Sequence, residues 1–271
     1  TGCQHNQGTY SVKYDVAFPN SPETWLNKTQ IFPQMFENCY SVDCEMYSTD
    51  TEGDSGAFIS CGVKMICRNC FTNNIIYGNQ RTGAFFGRIT TYSGSVAPGL
   101  YDDGGNQTVN IYFENCYASG SVEGNSKIGG FLALDNNRSG GGVAVYKNCY
   151  TTAMVGMDYS GSQLGGFIGL ESSADTKAKI EIGKDANGNA LYNYKPGTTE
   201  IQPGAVYINC YAAGEVGNIL TDTSTTSSDN NKIGGFVGEI GFYDSEYASS
   251  NHKTEYDINS TFVNCYYDMQ T

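Results

Sequence analysis

Ten cysteines, two histidines and 28 carboxylates are the residues of this chain whose types could do chemistry. Six cysteines, Cys39, Cys70, Cys116, Cys149, Cys210 and Cys265, each sit between an asparagine and an aromatic. The other four, Cys3, Cys44, Cys61 and Cys67, crowd into the first quarter of the chain. Structural zinc needs convergent ligands at short spacing, and Cys67-Arg-Asn-Cys70 is such a pair. His5 and His252 stand alone, with no serine or cysteine triad motif to join. A carboxylate pair at glycosidase distance cannot be picked out of so many acidic residues by spacing alone. Three acidic loops, Asp50 to Asp54, Asp102 to Asn106 and Asp185-x-Asn187-x-Asn189, have calcium-like composition. The last begins like an EF-hand loop, but its twelfth position is Pro196 instead of Glu. Turn chemistry accounts for all three. No metal and no cofactor are expected.

The elements that position these residues are repeats. The first half of the unit reads aromatic, spacer, Asn-Cys-aromatic, as in Phe113-Glu-Asn-Cys-Tyr117, and recurs six times. The second half is Gly-Gly-Phe or Gly-Ala-Phe, ending at Phe58, Phe85, Phe131, Phe167 and Phe236. Counting from the cysteine, even positions are small or apolar (Cys116, Ala118, Gly120, Val122) and odd ones more polar (Tyr117, Ser119, Ser121). Period two predicts a strand with Cys inward and Tyr outward. The aromatic three residues before the Cys should also be inward, so the chain must bend at the Asn, a residue that tolerates left-handed backbone. The Ile-Gly-Gly-Phe half is apolar on both parities, and its inward face stays unassigned.

One such copy cannot close its own core. Copies that stack through parallel pairing, each supplying three short strands, predict an all-β fold: a right-handed parallel β-helix (β-solenoid) of about five to six coils. A propeller would need even spacing of about 40–50 residues per blade. The Cys-to-Cys spacings are 31, 46, 33, 61 and 55. Residues 36–271 form the repeat domain, and residues 1–35 an N-terminal cap belonging to the same unit. In a stack, parallel Cβ vectors suit disulfides poorly, so the six motif cysteines read as buried apolar groups. The four off-motif cysteines read as two disulfides stapling the cap to the first coils, in preference to zinc; three pairings stay open.

Length variation is localised. From Cys to the following Phe the distances are 19, 15, 15, 18 and 26, whereas from Phe to the next Cys they are 12, 31, 18, 43 and 29. The insertions, Ile89 to Val109, Asp135 to Gly142, Glu171 to Gly204 and Gly241 to Ser260, therefore leave from one junction. A shorter one, Thr221 to Asn231, leaves from another corner. Insertions on one side of a solenoid mark a binding face. The aromatics on them, Tyr92, Tyr101, Tyr192, Tyr194, Tyr243 and Tyr247, are the candidate binding residues. Within Glu171 to Gly204, Asn187-Gly188 between alternating segments predicts a projecting β-hairpin. The ladder Tyr40, Phe71, Tyr117, Tyr150, Tyr211 and Tyr266 offers either a stacking platform or a structural stack. Its presence in every copy favours the structural reading.

Composition narrows the function classes. A net charge of −13 repels nucleic acid and anionic lipid, and no apolar run approaches the ~20 residues of a membrane span. No nucleic-acid partner and no membrane insertion are expected. Thr1 begins abruptly, as in a mature product or a piece of something longer.

At Asn-Cys-Tyr-Ala-Ser-Gly-Ser-Val (115–122), Ile-Gly-Gly-Phe-Val-Gly (233–238) and Asn-Cys-Tyr-Tyr-Asp (264–268), the chain resembles the GLUG-type repeats. These occur in secreted or surface proteins of bacteria, including adhesin-like proteins and IgA-specific peptidases outside their catalytic part. The resemblance covers roughly residues 36–268 and implies a β-helical surface module with no catalytic residues to carry over. The large insertions and the cysteine-rich start depart from the pattern. The expected function is thus a non-catalytic extracellular module, secreted or attached to the cell surface. It would bind a host or neighbouring-cell protein or glycan. A polysaccharide-acting β-helix enzyme and a passive stalk or assembly subunit are the alternatives.

Overall fold

In a computed structural model of the chain, the described residues are 34–48, 53–62, 65–91, 109–137, 143–157, 163–172, 177–217, 232–240 and 260–268. Residues 1–33 of the expected cap lie outside them. All regular structure among the described residues is strand. A complete copy contributes four short strands rather than the expected three, for example Val109–Glu114, Tyr117–Glu123, Ile128–Gly129 and Leu132–Asn137. The extra strand arises because the Gly-Gly-Phe half turns a corner of its own.

Equivalent strands pair in parallel and in register. The first sheet takes Gln34–Glu37, Met65–Arg68, Val109–Glu114, Val143–Lys147, Val206–Ile208 and Thr261–Val263 in chain order. A second sheet stacks the segments that follow each Cys, and a third and fourth stack the two arms of the Gly-Gly-Phe half. This is a parallel β-helix, or solenoid, arrangement: four sheets of stacked strands around an interior that no single copy could enclose.

The asparagine corner forms in every copy. Asn38, Asn69, Asn115, Asn148, Asn209 and Asn264 all have φ between 50° and 55°. From Asn69 onward each side-chain amide donates to the Oδ1 of the asparagine before it in the stack, at 3.0–3.2 Å. Left-handed backbone costs most residues roughly 1–2 kcal/mol, and Asn offsets part of that through local bonding. Asn115→Ala is therefore expected to destabilise the chain by about 1–2 kcal/mol, combining backbone strain with two lost hydrogen bonds. Asn115→Gly should cost less. Urea midpoints of the two variants check this ordering, and an equal loss would remove backbone strain from the account.

The interior is filled by two aromatic stacks set edge to face. Phe58, Phe85, Phe131, Phe167 and Phe236 lie face to face at 4.8–5.0 Å. Facing them, Phe113, Tyr146, Tyr207 and Phe262 stack at 4.6–5.1 Å. The two ladders meet nearly at right angles, as between Phe113 and Phe131 at 87°. Edge-to-face contact suits the ring quadrupole. Cys67 takes one aromatic place, aligned with Phe36 and Phe113. In the same copy Phe86 stands where other copies carry Ile59, Leu132, Ile168 and Val237, and its ring meets Phe113 at 5.1 Å. A small residue on one sheet is thus compensated by a large one opposite, keeping the interior close-packed.

The paired glycines have a steric cause. A Cβ on Gly129 would lie 2.0 Å from the Leu132 carbonyl oxygen, and one on Gly130 would lie 2.1 Å from the Gly166 oxygen of the next copy. With the side chains absent, Ile128, Phe131 and Leu132 all reach the core. That settles the face left open by parity.

Candidate functional site

The outward ladder follows from the corner: with Cys turned in, the next residue must point out. Tyr40, Phe71, Tyr150, Tyr211 and Tyr266 are exposed and Tyr117 is half-buried. Tyr40 stacks on Phe71 at 5.2 Å and Tyr117 on Tyr150 at 4.3 Å, and the Tyr117 hydroxyl meets Thr152 Oγ1 at 2.9 Å. Within each pair the facing ring surfaces are occupied. A sugar ring stacks on an aromatic face, so these pairs favour the structural reading.

Among the six candidate binding tyrosines, Tyr92, Tyr101, Tyr243 and Tyr247 lie outside the described residues. Tyr192 and Tyr194 come together on the 177–204 insertion, with ring centroids 5.9 Å apart and the Lys179 ammonium 4.1 Å from the Tyr192 centroid. The expected hairpin forms from Glu181–Lys184 and Ala190–Tyr192, paired antiparallel. Asp185 Oδ1 accepts the backbone N–H groups of Asn187 and Asn189, both at 2.8 Å, and Asn189 Nδ2 donates to Oδ2 at 2.9 Å. The Asn189 contacts and the neighbouring amides hold the Asp185 carboxyl below its usual range. The calcium-like loop is a turn.

Only the tip of the insertion projects. Its base, Ala178 and Ile180, packs with Ile66, Val109, Tyr112, Val143, Val145, Val206 and Ile208 on the outer face of the first sheet. Buried Asn193 pins that base: its Oδ1 accepts the Ile180 N–H at 2.8 Å and its amide donates to the Ala178 carbonyl at 2.9 Å. The first sheet is apolar on both faces, so some segment had to cover it.

Among the described residues the off-motif cysteines form no disulfide with one another. Cys61 Sγ lies 3.8 Å from Arg88 Nη2, and Cys3, which a staple to the cap requires, lies outside the described residues. The three described ones sit on different sheets: Cys44 exposed on Tyr40–Tyr47, Cys61 on Ile59–Gly62, Cys67 buried on Met65–Arg68. Burial pushes the Cys67 thiol well above its ordinary value, making it a core group and not a reactive one. The motif cysteines are inward, as parity requires, with Cys116 Sγ against the Cys67 and Glu114 carbonyls at 3.4 and 3.5 Å.

Two groups of side chains hold carboxyls largely out of water. Asp54 lies between Arg81, whose Nε donates to Oδ1, and Arg88, whose Nη2 lies 3.0 Å from Oδ2. All three side chains are nearly buried, with exposures of 4%, 8% and 11%. The second group lies in the interior itself. Along the fourth sheet one row reads Gly62, Ile89, Asp135, Glu171, Ile240. Asp135 and Glu171 are fully buried. The Tyr146 hydroxyl lies 2.8 Å from Asp135 Oδ2 and the Tyr207 hydroxyl 3.3 Å from the same oxygen. Tyr207 Oη also meets Glu171 Oε2, and Ser260 Oγ donates to Glu171 Oε1 at 2.9 Å.

This cluster escaped the sequence reading, which used Asp135 and Glu171 only as the starts of insertions. Its signal is a covariation across copies. Ile89 is followed by Phe113 and Ile240 by Phe262, whereas Asp135 is followed by Tyr146 and Glu171 by Tyr207. A carboxyl in the row accompanies a hydroxyl on the next inward ring.

Fold and cluster together define, among the described residues, stacked parallel strands whose apolar interior holds a polar knot around Asp135 and Glu171. Compared with known proteins, it matches no family model, no curated protein and no solved structure.

Proposed function

We propose that the chain is a right-handed parallel β-helix of about five to six coils, serving as a non-catalytic extracellular module of a bacterial surface protein. It binds a host or neighbouring-cell protein or glycan through loops carried on one side. The observation that carries this reading is the concentration of added length at the junction after the fourth strand of each copy. In the 177–204 segment that length makes a hairpin whose base is fixed and whose tip is exposed. Tyr192 and Tyr194, on either side of Asn193 at the base of the hairpin, are rigid amphipathic groups of the kind that dominate binding surfaces. The likeness to GLUG-type repeats supports a surface location. The Asp135–Glu171 cluster is closed off inside the stack and Asp54 is held between two guanidinium groups, which supports a non-catalytic role.

The test is binding of the chain to glycan and protein arrays, repeated with Tyr192→Ala/Tyr194→Ala and with residues 184–190 replaced by a short turn. Loss of roughly tenfold or more in affinity with unchanged thermal stability is expected. Undiminished binding by both variants would move the site elsewhere, and turnover of an arrayed glycan would replace the reading altogether.

A further inference from the structure

The hydrogen-bond geometry around Asp135 leaves one contact short of a proton. Tyr207 has one hydroxyl hydrogen but faces two carboxyl oxygens, Asp135 Oδ2 at 3.3 Å and Glu171 Oε2. Given to Glu171, that hydrogen leaves nothing between Tyr207 and an ionised Asp135. Asp135 Oδ1, meanwhile, is buried and accepts no hydrogen bond. An unpartnered oxygen is costly on a buried carboxylate and far less so as the carbonyl of a neutral acid.

We propose that Asp135 binds a proton inside the folded stack. The added hydrogen completes a relay, Tyr146 to Asp135, Asp135 to Tyr207, Tyr207 to Glu171, that ties consecutive copies together and weakens when the proton leaves. Each member then donates once: Tyr146 Oη–H to Asp135 Oδ2, Asp135 Oδ2–H to Tyr207 Oη, and Tyr207 Oη–H to Glu171 Oε2. Burial pushes the Asp135 carboxyl up to about 7, against a lowering by its two tyrosine contacts. The same burial, reinforced by the two carboxyls, holds both tyrosine hydroxyls well above their ordinary value, so they stay donors.

The titratable groups that face the site are Asp135 and Glu171 on the fourth sheet, and Tyr146 and Tyr207 on the first. Cys149 is close enough to act on Tyr146. Ser260 adds an uncharged hydroxyl, while Ile89 and Ile240 bound the row on either side without charge. The sign follows from linkage. An unfolded Asp releases its proton near pH 4, whereas the folded one keeps it to about 7. Between those values the folded chain binds the extra proton, so stability falls as pH rises and levels off above 7.

The experiment compares wild type with Asp135→Asn, a neutral stand-in for the protonated acid, in urea unfolding from pH 4 to 9. Relative to the variant, the wild-type folding constant should fall by about tenfold per pH unit across the window. Folded wild type at pH 6 should also show the infrared carbonyl band of a protonated acid, absent from the variant. Should Asp135→Asn fail to fold, Asp135→Leu/Tyr146→Phe restores the apolar pairing of Ile89 with Phe113 and serves as the pH-insensitive reference. Parallel pH profiles for wild type and variant, or no protonated-acid band in wild type at pH 6, would overturn the proposal.

Discussion

Replacing Phe131 by alanine is expected to cost about 3–5 kcal/mol of folding stability, read as a fall in the urea midpoint. The ring is fully buried and stacks on Phe85 and Phe167, both at 4.8 Å and within 6° of parallel. It also meets Phe113 and Tyr146 edge to face at 5.7 and 6.4 Å. Removing it takes away transfer energy and leaves a cavity between ladders that cannot collapse. The backbone on either side is fixed by pairing to neighbouring copies, with the Phe131 N–H on the Phe167 carbonyl at 2.9 Å. Phe58, at one end of the same stack and only half-buried, should cost clearly less. Equal losses at the two positions would show that the ladder adds nothing to the burial of each ring.

A second large effect is expected from Asp54→Ala. Two guanidinium groups share this carboxylate, and all three side chains are nearly removed from water. Taking away one partner of a buried charge group typically costs about 3–5 kcal/mol, because the charges left behind have lost both hydration and attraction. The loss should change little between low and moderate salt, since buried pairs are weakly screened. A loss that vanished at high salt would place the triad at the surface.

The two expectations differ in how readily the sequence announces them. That the Gly-Gly-Phe halves stack was legible because they recur at nearly constant distance from each cysteine, but the inward turn of Phe131 was not, because the segment is apolar on both parities. The asparagine corner was legible for a related reason: an inward aromatic and an inward cysteine three residues apart break strand parity, and a residue tolerant of left-handed backbone sits between them. Asp54, Arg81 and Arg88 come from successive copies and share no local pattern, so their meeting depends on register that only the assembled sheets supply. The carboxyls of Asp135 and Glu171 were hidden differently. Polar residues beside long insertions read as surface, and only alignment of the copies shows them in a row with Ile89 and Ile240. The cysteine staples turn on Cys3, outside the described residues; among the other three, proximity in sequence does not bring Cys44, Cys61 and Cys67 onto facing strands.

The direction of the backbone hydrogen bonds has a mechanical consequence. Bonds such as Tyr117 N–H to the Cys70 carbonyl and Tyr150 N–H to the Cys116 carbonyl, each 3.0 Å, join one copy to the next along the stack. A pull on the two ends of the stack falls along these bonds and parts the copies one at a time, in a peeling mode. A sideways load is instead spread over every pair at a copy boundary. The molecule is therefore stiff across its width and compliant along its length, a spring that yields in steps of one copy.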